Sequence, residues 1–258
     1  MKYEIIDSPG TICLNNVLFN TIKRNRNIKT FIEIGPGEGK LANKLCSLGY
    51  KGIGVDFSDE VIESLSSNMS KYIKEGRYKI INKDFIKEDI GIKADLTFSI
   101  MVMEHIEDDL KFLKRMKNIT NKNGIVLIGV PGRKKNWGIE DEVSGHYRRY
   151  DRKDLLELFD KSGFKEFNVN SVGVPISNIL FKLGENIINN SHAAEKRDLS
   201  LEEQTKLSGF KDIKYKTLFP FWFKYIFNNV TLSPFLLIQK LFFNTNLGLT
   251  IIAYGYNE

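Results

Sequence analysis

Cysteine is scarce in this chain: Cys13 and Cys46 are the two present. That leaves no disulfide framework and no thiolate metal cluster, and it fits a reducing, cytoplasmic setting. Long apolar runs are missing too. No uninterrupted stretch approaches the roughly 20 residues that cross a bilayer, so no membrane span is expected. An export signal is not expected either, because the amino terminus, M-K-Y-E-I-I-D-S, carries carboxylates where a signal has its apolar stretch. Three histidines, His105, His146 and His192, restrict the choice of a base that works near neutral pH. The net charge of +6 comes without a recognised nucleic-acid motif, and dispersed lysines usually form a solvated surface, so nucleic acid is not expected as a partner.

What the chain does contain is apolar material in ordinary proportion, 42% against 27% charged residues, enough for one substantial core. Strand-like runs recur at residues 30–34, 52–55, 78–82, 94–100 and 124–130. Helix-period patterns fall between them at 40–48, 59–75 and 110–120. Such alternation specifies an α/β fold with a parallel sheet and helices on both faces, where ligands gather at the carboxyl ends of the strands. A single domain is expected: a cap over residues 1–28 with a helix near 12–24, a core over 29–173, an insertion over 174–247 and a final strand within 248–258.

Residues 31–39, F-I-E-I-G-P-G-E-G, read as a strand entering a glycine turn and then a helix. Glycines permit positive φ there, and the absent Cβ lets a ligand lie against the backbone. The spacing departs from the dinucleotide pattern G-x-G-x-x-G, since Lys40 follows Gly39. Glu33 also sits just below the turn, where a carboxylate would repel a pyrophosphate. A cationic ligand suits the arrangement better. About twenty residues on, Asp56 ends the second strand, where an acidic residue grips a ribose diol in doubly wound folds.

Together with I-I-N-K-D-F at the third strand end and S-I-M-V-M-E-H-I-E-D-D at the fourth, these elements resemble the class I S-adenosylmethionine-dependent methyltransferases. The resemblance implies a Rossmann-like, seven-stranded, mostly parallel sheet with an antiparallel last strand and a helical lid insertion before it. It implies S-adenosyl-L-methionine as cofactor, bound by Glu33, Gly35, Pro36, Gly37, Asp56, Phe57, Asp84, Phe85 and Met101. In this likeness Asp84 meets the adenine amino group, Phe85 packs against the ring, and His105 points toward the methyl group. No clear metal-ligand set stands at the strand ends, so no metal is expected. No N-P-P-Y-like tetrapeptide follows the fourth strand, as methylation of a base amine would require.

The second informative stretch follows the fifth strand. Its G-H-Y-R-R-Y, residues 145–150, resembles a branch of these methyltransferases associated with sugars, surface glycans and small metabolites. Glu142, Tyr147, Arg148 and Arg149 are the candidate acceptor-binding residues. Arginine pairs bidentately with carboxylate or phosphate, which suits an anionic acceptor; equally, Arg148 and Arg149 could pair with Asp141 and Glu142 to fix the loop. His146 and His105 are the candidate bases. The expected activity is O-methylation of a small acceptor such as a sugar, a nucleotide-linked sugar or another surface-glycan precursor, with an amine or a quinone-type metabolite as the alternatives. The aromatic segment at 218–227, L-F-P-F-W-F-K-Y-I-F, reads as a lid, with a homodimer interface as its other expected use.

Overall fold

The computed structural model describes residues 3–25, 27–181, 204 and 218–258. Its main sheet contains β2 (Thr30–Ile34), β3 (Lys51–Asp56), β4 (Tyr78–Asn82), β5 (Ala94–Ile100), β6 (Thr120–Pro131), β7 (Phe167–Val172) and β9 (Thr250–Asn257). The strand order is β4-β3-β2-β5-β6-β9-β7. β2 pairs in parallel with both β3 and β5, and β5 pairs in parallel with β6. The chain therefore runs outward from β2 to β4 on one side and returns to β5 on the other. That reversal opens a crevice at the carboxyl end of β2. The expected α/β sheet is present. A second, two-stranded antiparallel sheet pairs β1 (Tyr3–Ile5) with β8 (Leu218–Pro220), strands too short to leave a periodic signal in the sequence.

The described helices are α1 (Pro9–Arg24), α2 (Lys40–Ser47), α3 (Asp59–Asn68), α4 (Ser70–Lys74), α5 (Asp109–Asn118), α6 (Ile139–Ser144), α7 (Arg152–Lys161) and α8 (Ser233–Ile238). The single helix expected over 59–75 is two helices that meet at Met69, whose side chain is buried. Ser58 caps the first by accepting from the Val61 N–H, and Asp108 caps α5 by accepting from the Lys111 N–H at 2.8 Å. Each such cap contributes about 1 kcal/mol. The strand expected from residue 124 begins at Thr120, with a register irregularity opposite Ala94 and Leu96.

The chain divides into two compact units. One comprises Asn25–Gly129, Leu156–Asn168 and Ala253–Glu258 and carries the glycine turn. Its centre is aromatic: Phe31 lies 6.3 Å from Tyr78 and 5.8 Å from Phe98, centroid to centroid, and all three are fully buried. The other comprises Met1–Arg24, Val130–Leu155 and Val169–Ile252. There α1 turns Ile12, Cys13, Val17, Leu18 and Ile22 inward, a helical stripe that packs against α8. Residues 182–203 and 205–217 of the expected insertion, His192 among them, lie outside the described residues.

Candidate active site

In the first unit, the end of β2 turns through Gly35, Gly37 and Gly39, all with positive φ. Two of these glycines do different things. A Cβ on Gly35 would stand 2.4 Å from Val102 Cγ2, so this glycine lets the segment after β5 pack onto the turn. A Cβ on Gly37 would meet nothing within 4 Å. Gly37 therefore faces open space with its backbone, a cradle rather than a packing contact.

Glu33 lies below that cradle, buried at 3% exposure. It accepts a hydrogen bond from the Ala42 backbone, while its Oε2 has no hydrogen-bond partner. Burial raises its pKa well above the ordinary carboxylate range, and the Ala42 hydrogen bond offsets only part of that shift. A buried carboxyl with one oxygen unengaged is a receptor for a cation or a donor.

Asp56 ends β3, half-buried, with its pKa raised by desolvation against the opposing N–H groups of Ser58 and Phe57. The Ser58 N–H donates to Oδ1 at 3.0 Å. The neighbouring Phe57 ring is exposed. Phe85, expected against an adenine ring, is instead buried edge-on to Phe112, with centroids 5.4 Å apart, and lies beneath the Arg115 guanidinium. Of the two aromatics, Phe57 is the one whose ring is exposed.

Asp84 is engaged locally. Its Oδ1 accepts from Ile86 N at 2.9 Å and Oδ2 lies 3.0 Å from Lys87 Nζ. Desolvation raises its pKa, but the Lys87 hydrogen bond and the backbone N–H groups outweigh it and hold the carboxyl low. At the end of β5, Met101 is exposed and left-handed at φ 56°, an uncommon backbone state for a non-glycine residue and one that clusters at functional sites. Its N–H donates to Gly129 O at 2.7 Å. His105 closes the short turn Met103–His105 that follows, half-buried.

In the second unit, the loop between β6 and α7 is organised by Asp141, a residue with 0% exposure. Its Oδ2 accepts from Gly138 N at 2.9 Å, and both oxygens receive Arg149 Nε at 2.7 Å. Oδ1 also lies 2.8 Å from His146 Nδ1. Desolvation raises the Asp141 pKa, but the His146 hydrogen bond and the Arg149 charge prevail and keep it ionised. An ionised carboxylate can only accept, so His146 Nδ1 carries a proton, and in the neutral tautomer this selects, Nε2 is the ring nitrogen with the lone pair.

Arg149, buried at 4%, also donates to Gly132 O at 3.3 Å. It is a loop-fixing residue, one of the two uses its sequence left open. Tyr147 and Glu142 are exposed, and the Arg148 guanidinium lies 5.9 Å from the Tyr147 ring centroid. Asp141 was legible in the sequence as a possible partner for arginine; in the structure it is the third residue of α6, where its side chain accepts from the Gly138 N–H that precedes the helix.

A methyltransferase-domain family model matches residues 12–168. The chain belongs to this family. Among curated relatives, this methyltransferase is 31% identical over 103 residues to a ubiquinone biosynthesis O-methyltransferase of Pelagibacter ubique (strain HTCC1062), covering 40% of this chain and 42% of that protein. It is 27% identical over 99 residues to ribosomal RNA small subunit methyltransferase A of Mycoplasmopsis pulmonis (strain UAB CTIP), covering 38% and 36%. The matched stretch thus spans less than half the length of either relative. In fold it resembles Haemonchus contortus phosphoethanolamine N-methyltransferase 2, solved with S-adenosyl-L-methionine, at a TM-score of 0.58 and 20% identity over 94% of this chain and 52% of that one.

The residues of this methyltransferase fit S-adenosylmethionine on their own chemistry. The open cradle at Gly37, the unpartnered Oε2 of Glu33 and the strand-end carboxylate of Asp56 match a ligand with positive charge and a ribose diol.

Proposed function

We propose that this methyltransferase transfers the methyl group of S-adenosylmethionine to a hydroxyl of a small acceptor. When bound, the cofactor supplies a methyl carbon on a sulfonium, open to in-line attack by a nucleophile. Glu33 neutralises part of the cofactor's positive charge, Asp56 accepts from its ribose hydroxyls, and the Phe57 ring covers its base. Asp84 shapes the turn that follows β4 and is proposed to meet the adenine amino group.

The observation that carries the hydroxyl reading is the Asp141–His146 pair at 2.8 Å. A neutral amine attacks through its lone pair and can lose its proton afterwards, whereas a hydroxyl gains from a positioned base as its oxygen attacks. His146 Nε2 would take that proton, with Asp141 holding the ring and stabilising the imidazolium. Among hydroxyl acceptors, a quinol-type aromatic ring stands ahead of a sugar, because the 31%-identical relative is a ubiquinone biosynthesis O-methyltransferase. Arg148 and Tyr147 are the proposed acceptor contacts.

The test is methyl transfer from labelled S-adenosylmethionine to a panel of catechols, sugars and primary amines. Turnover on catechols that falls in His146→Gln with cofactor affinity retained is the expected result. Transfer confined to amines, or unaffected by that substitution, would overturn the reading.

A further inference from the structure

The sequence between β8 and β9 builds an outer surface of the wrong polarity for water. From Leu232, just before α8, through α8 and the short turn Gln239–Phe242 after it, Leu232, Leu236 and Gln239 are buried. Their spacing of four and three residues makes one inward face. Leu237, Ile238 and Leu241 project to the opposite side, and Leu237 and Leu241 are 64% and 79% exposed. A surface helix normally turns a polar face outward; one that is apolar on both faces requires a second apolar phase.

The preceding segment repeats the pattern. Phe219, Phe223 and Phe227 form a ring cluster with centroid spacings of 5.0 to 5.3 Å. Trp222 and Tyr225 stand out from it, exposed. The following turn is tied by the Asn228 side chain, which donates to Tyr225 O at 2.8 Å and accepts from Val230 N at 2.9 Å. Val230 is thereby held at the tip, 82% exposed. Asn228, which in the sequence looks like a polar interruption, is the knot that presents an apolar tip.

The charge pattern separates the two occupants that such a face could have. Residues 213–257 contain no Asp or Glu and no Arg, and the two described cations on this stretch, Lys224 and Lys240, are both exposed. Glu4 of β1 lies 3.6 Å from Lys224 and is the carboxylate recorded against it. Interfaces between proteins are enriched in arginine and depleted in lysine. Exposed Trp, Tyr and branched aliphatics combined with lysines are instead the composition of segments that lie in a bilayer interface, where aromatics sit at headgroup level and lysines reach anionic lipid.

We propose that the exposed apolar side chains of these two neighbouring segments, Trp222, Tyr225 and Val230 of the first and Leu237, Ile238 and Leu241 of the second, dock the protein onto the surface of an anionic bilayer without spanning it. The proposal is independent of the acceptor's identity.

The experiment is flotation of the full chain with vesicles of phosphatidylcholine alone and with roughly a third phosphatidylglycerol, a fraction that gives a strongly negative surface. Trp222 fluorescence is followed in parallel in a Trp137→Phe background. Binding to the anionic vesicles with a blue shift of Trp222 is expected. Lys240→Gln should weaken it by about fivefold, the worth of one lysine near such a surface. Val230→Asp with Leu241→Asp should abolish it while S-adenosylmethionine affinity stays at the wild-type value, since both side chains are solvent-facing and outside the cofactor site. No binding to either vesicle, or equal binding to both, would overturn the proposal. A dimer in sedimentation that the double aspartate variant dissociates, with no lipid binding, would assign the face to a second copy instead.

Discussion

Asp141 receives Arg149 Nε on both oxygens at 2.7 Å while holding His146 Nδ1 at 2.8 Å through Oδ1. The arginine and the histidine are thus tied to one buried carboxylate, and the loop cannot place one without the other. Asp141→Asn tests what that carboxylate does. Gly138 N and Arg149 both need an acceptor at Oδ2, so the asparagine oxygen takes that place and its amide N–H turns toward His146. The ring proton then moves to Nε2. The expected result is an exchange of the His146 ring ¹⁵N shifts and a loss of turnover on hydroxyl acceptors of about 10²- to 10⁴-fold, the range general-base catalysis supplies. Unchanged nitrogen shifts would remove the positioning role.

The two glycines of the turn should separate folding from binding. Gly35→Ala places a Cβ 2.4 Å from Val102 and forces a left-handed alanine, for which about 1 to 2 kcal/mol of backbone cost is expected before the clash is counted. Gly37→Ala carries the backbone cost alone, because its Cβ has open space. Thermal melts should therefore rank Gly35→Ala as the less stable. Gly37→Val, whose branched side chain fills the cradle, should stay folded and lose cofactor affinity by calorimetry.

Asp56→Asn keeps the shape of the strand end and removes the negative charge. Hydrogen bonds to charged groups contribute about 1.5 to 3 kcal/mol, so a loss of S-adenosylmethionine affinity on the order of 10- to 100-fold is expected. Burial holds the Asp56 pKa above its usual value. Its folded-state preference for the proton means that wild-type stability falls as pH rises through that pKa, and Asp56→Asn should lack this fall. Equal affinity in the two proteins would place the ribose elsewhere.

How much of this was legible beforehand follows from the range of each signal. β2, β4 and β5 were readable to the residue, because each carries its apolar pattern in five to seven consecutive positions. Glu33 and Asp56 were readable because a fixed fold puts them at strand ends. Phe85 shows the limit: adjacency to Asp84 does not reveal whether a ring turns outward, and here Phe112 and Arg115, about thirty residues away along the chain, provide a buried slot for it. The pairing of Asp141 with Arg149 was one of two readings of the loop, but its further contacts with Gly138 and His146 were hidden, since they converge only when the loop closes. The aromatic segment announced apolar surface but not its direction; that required the packing of Phe219, Phe223 and Phe227 on one another against the exposure of Trp222 and Tyr225.

Glu33 supplies a prediction with a definite sign. Its folded-state pKa is raised by burial, so its contribution to the stability of the cofactor-free protein is complete below the unfolded value near 4.3 and is lost as pH rises toward the folded pKa. Glu33→Gln removes the titration. Without cofactor, the variant should gain stability relative to wild type as pH increases from about 4.3, the unfolded glutamate value, upward. With S-adenosylmethionine the order should reverse at pH 8, because the cofactor's positive charge stabilises the ionised carboxylate and binding expels its proton. Wild type should then show a cofactor-induced rise in melting temperature that grows with pH, and Glu33→Gln a smaller, pH-independent one. Parallel melting curves for the two proteins across pH, with and without cofactor, would mean that the buried Oε2 does not face the cofactor's charge.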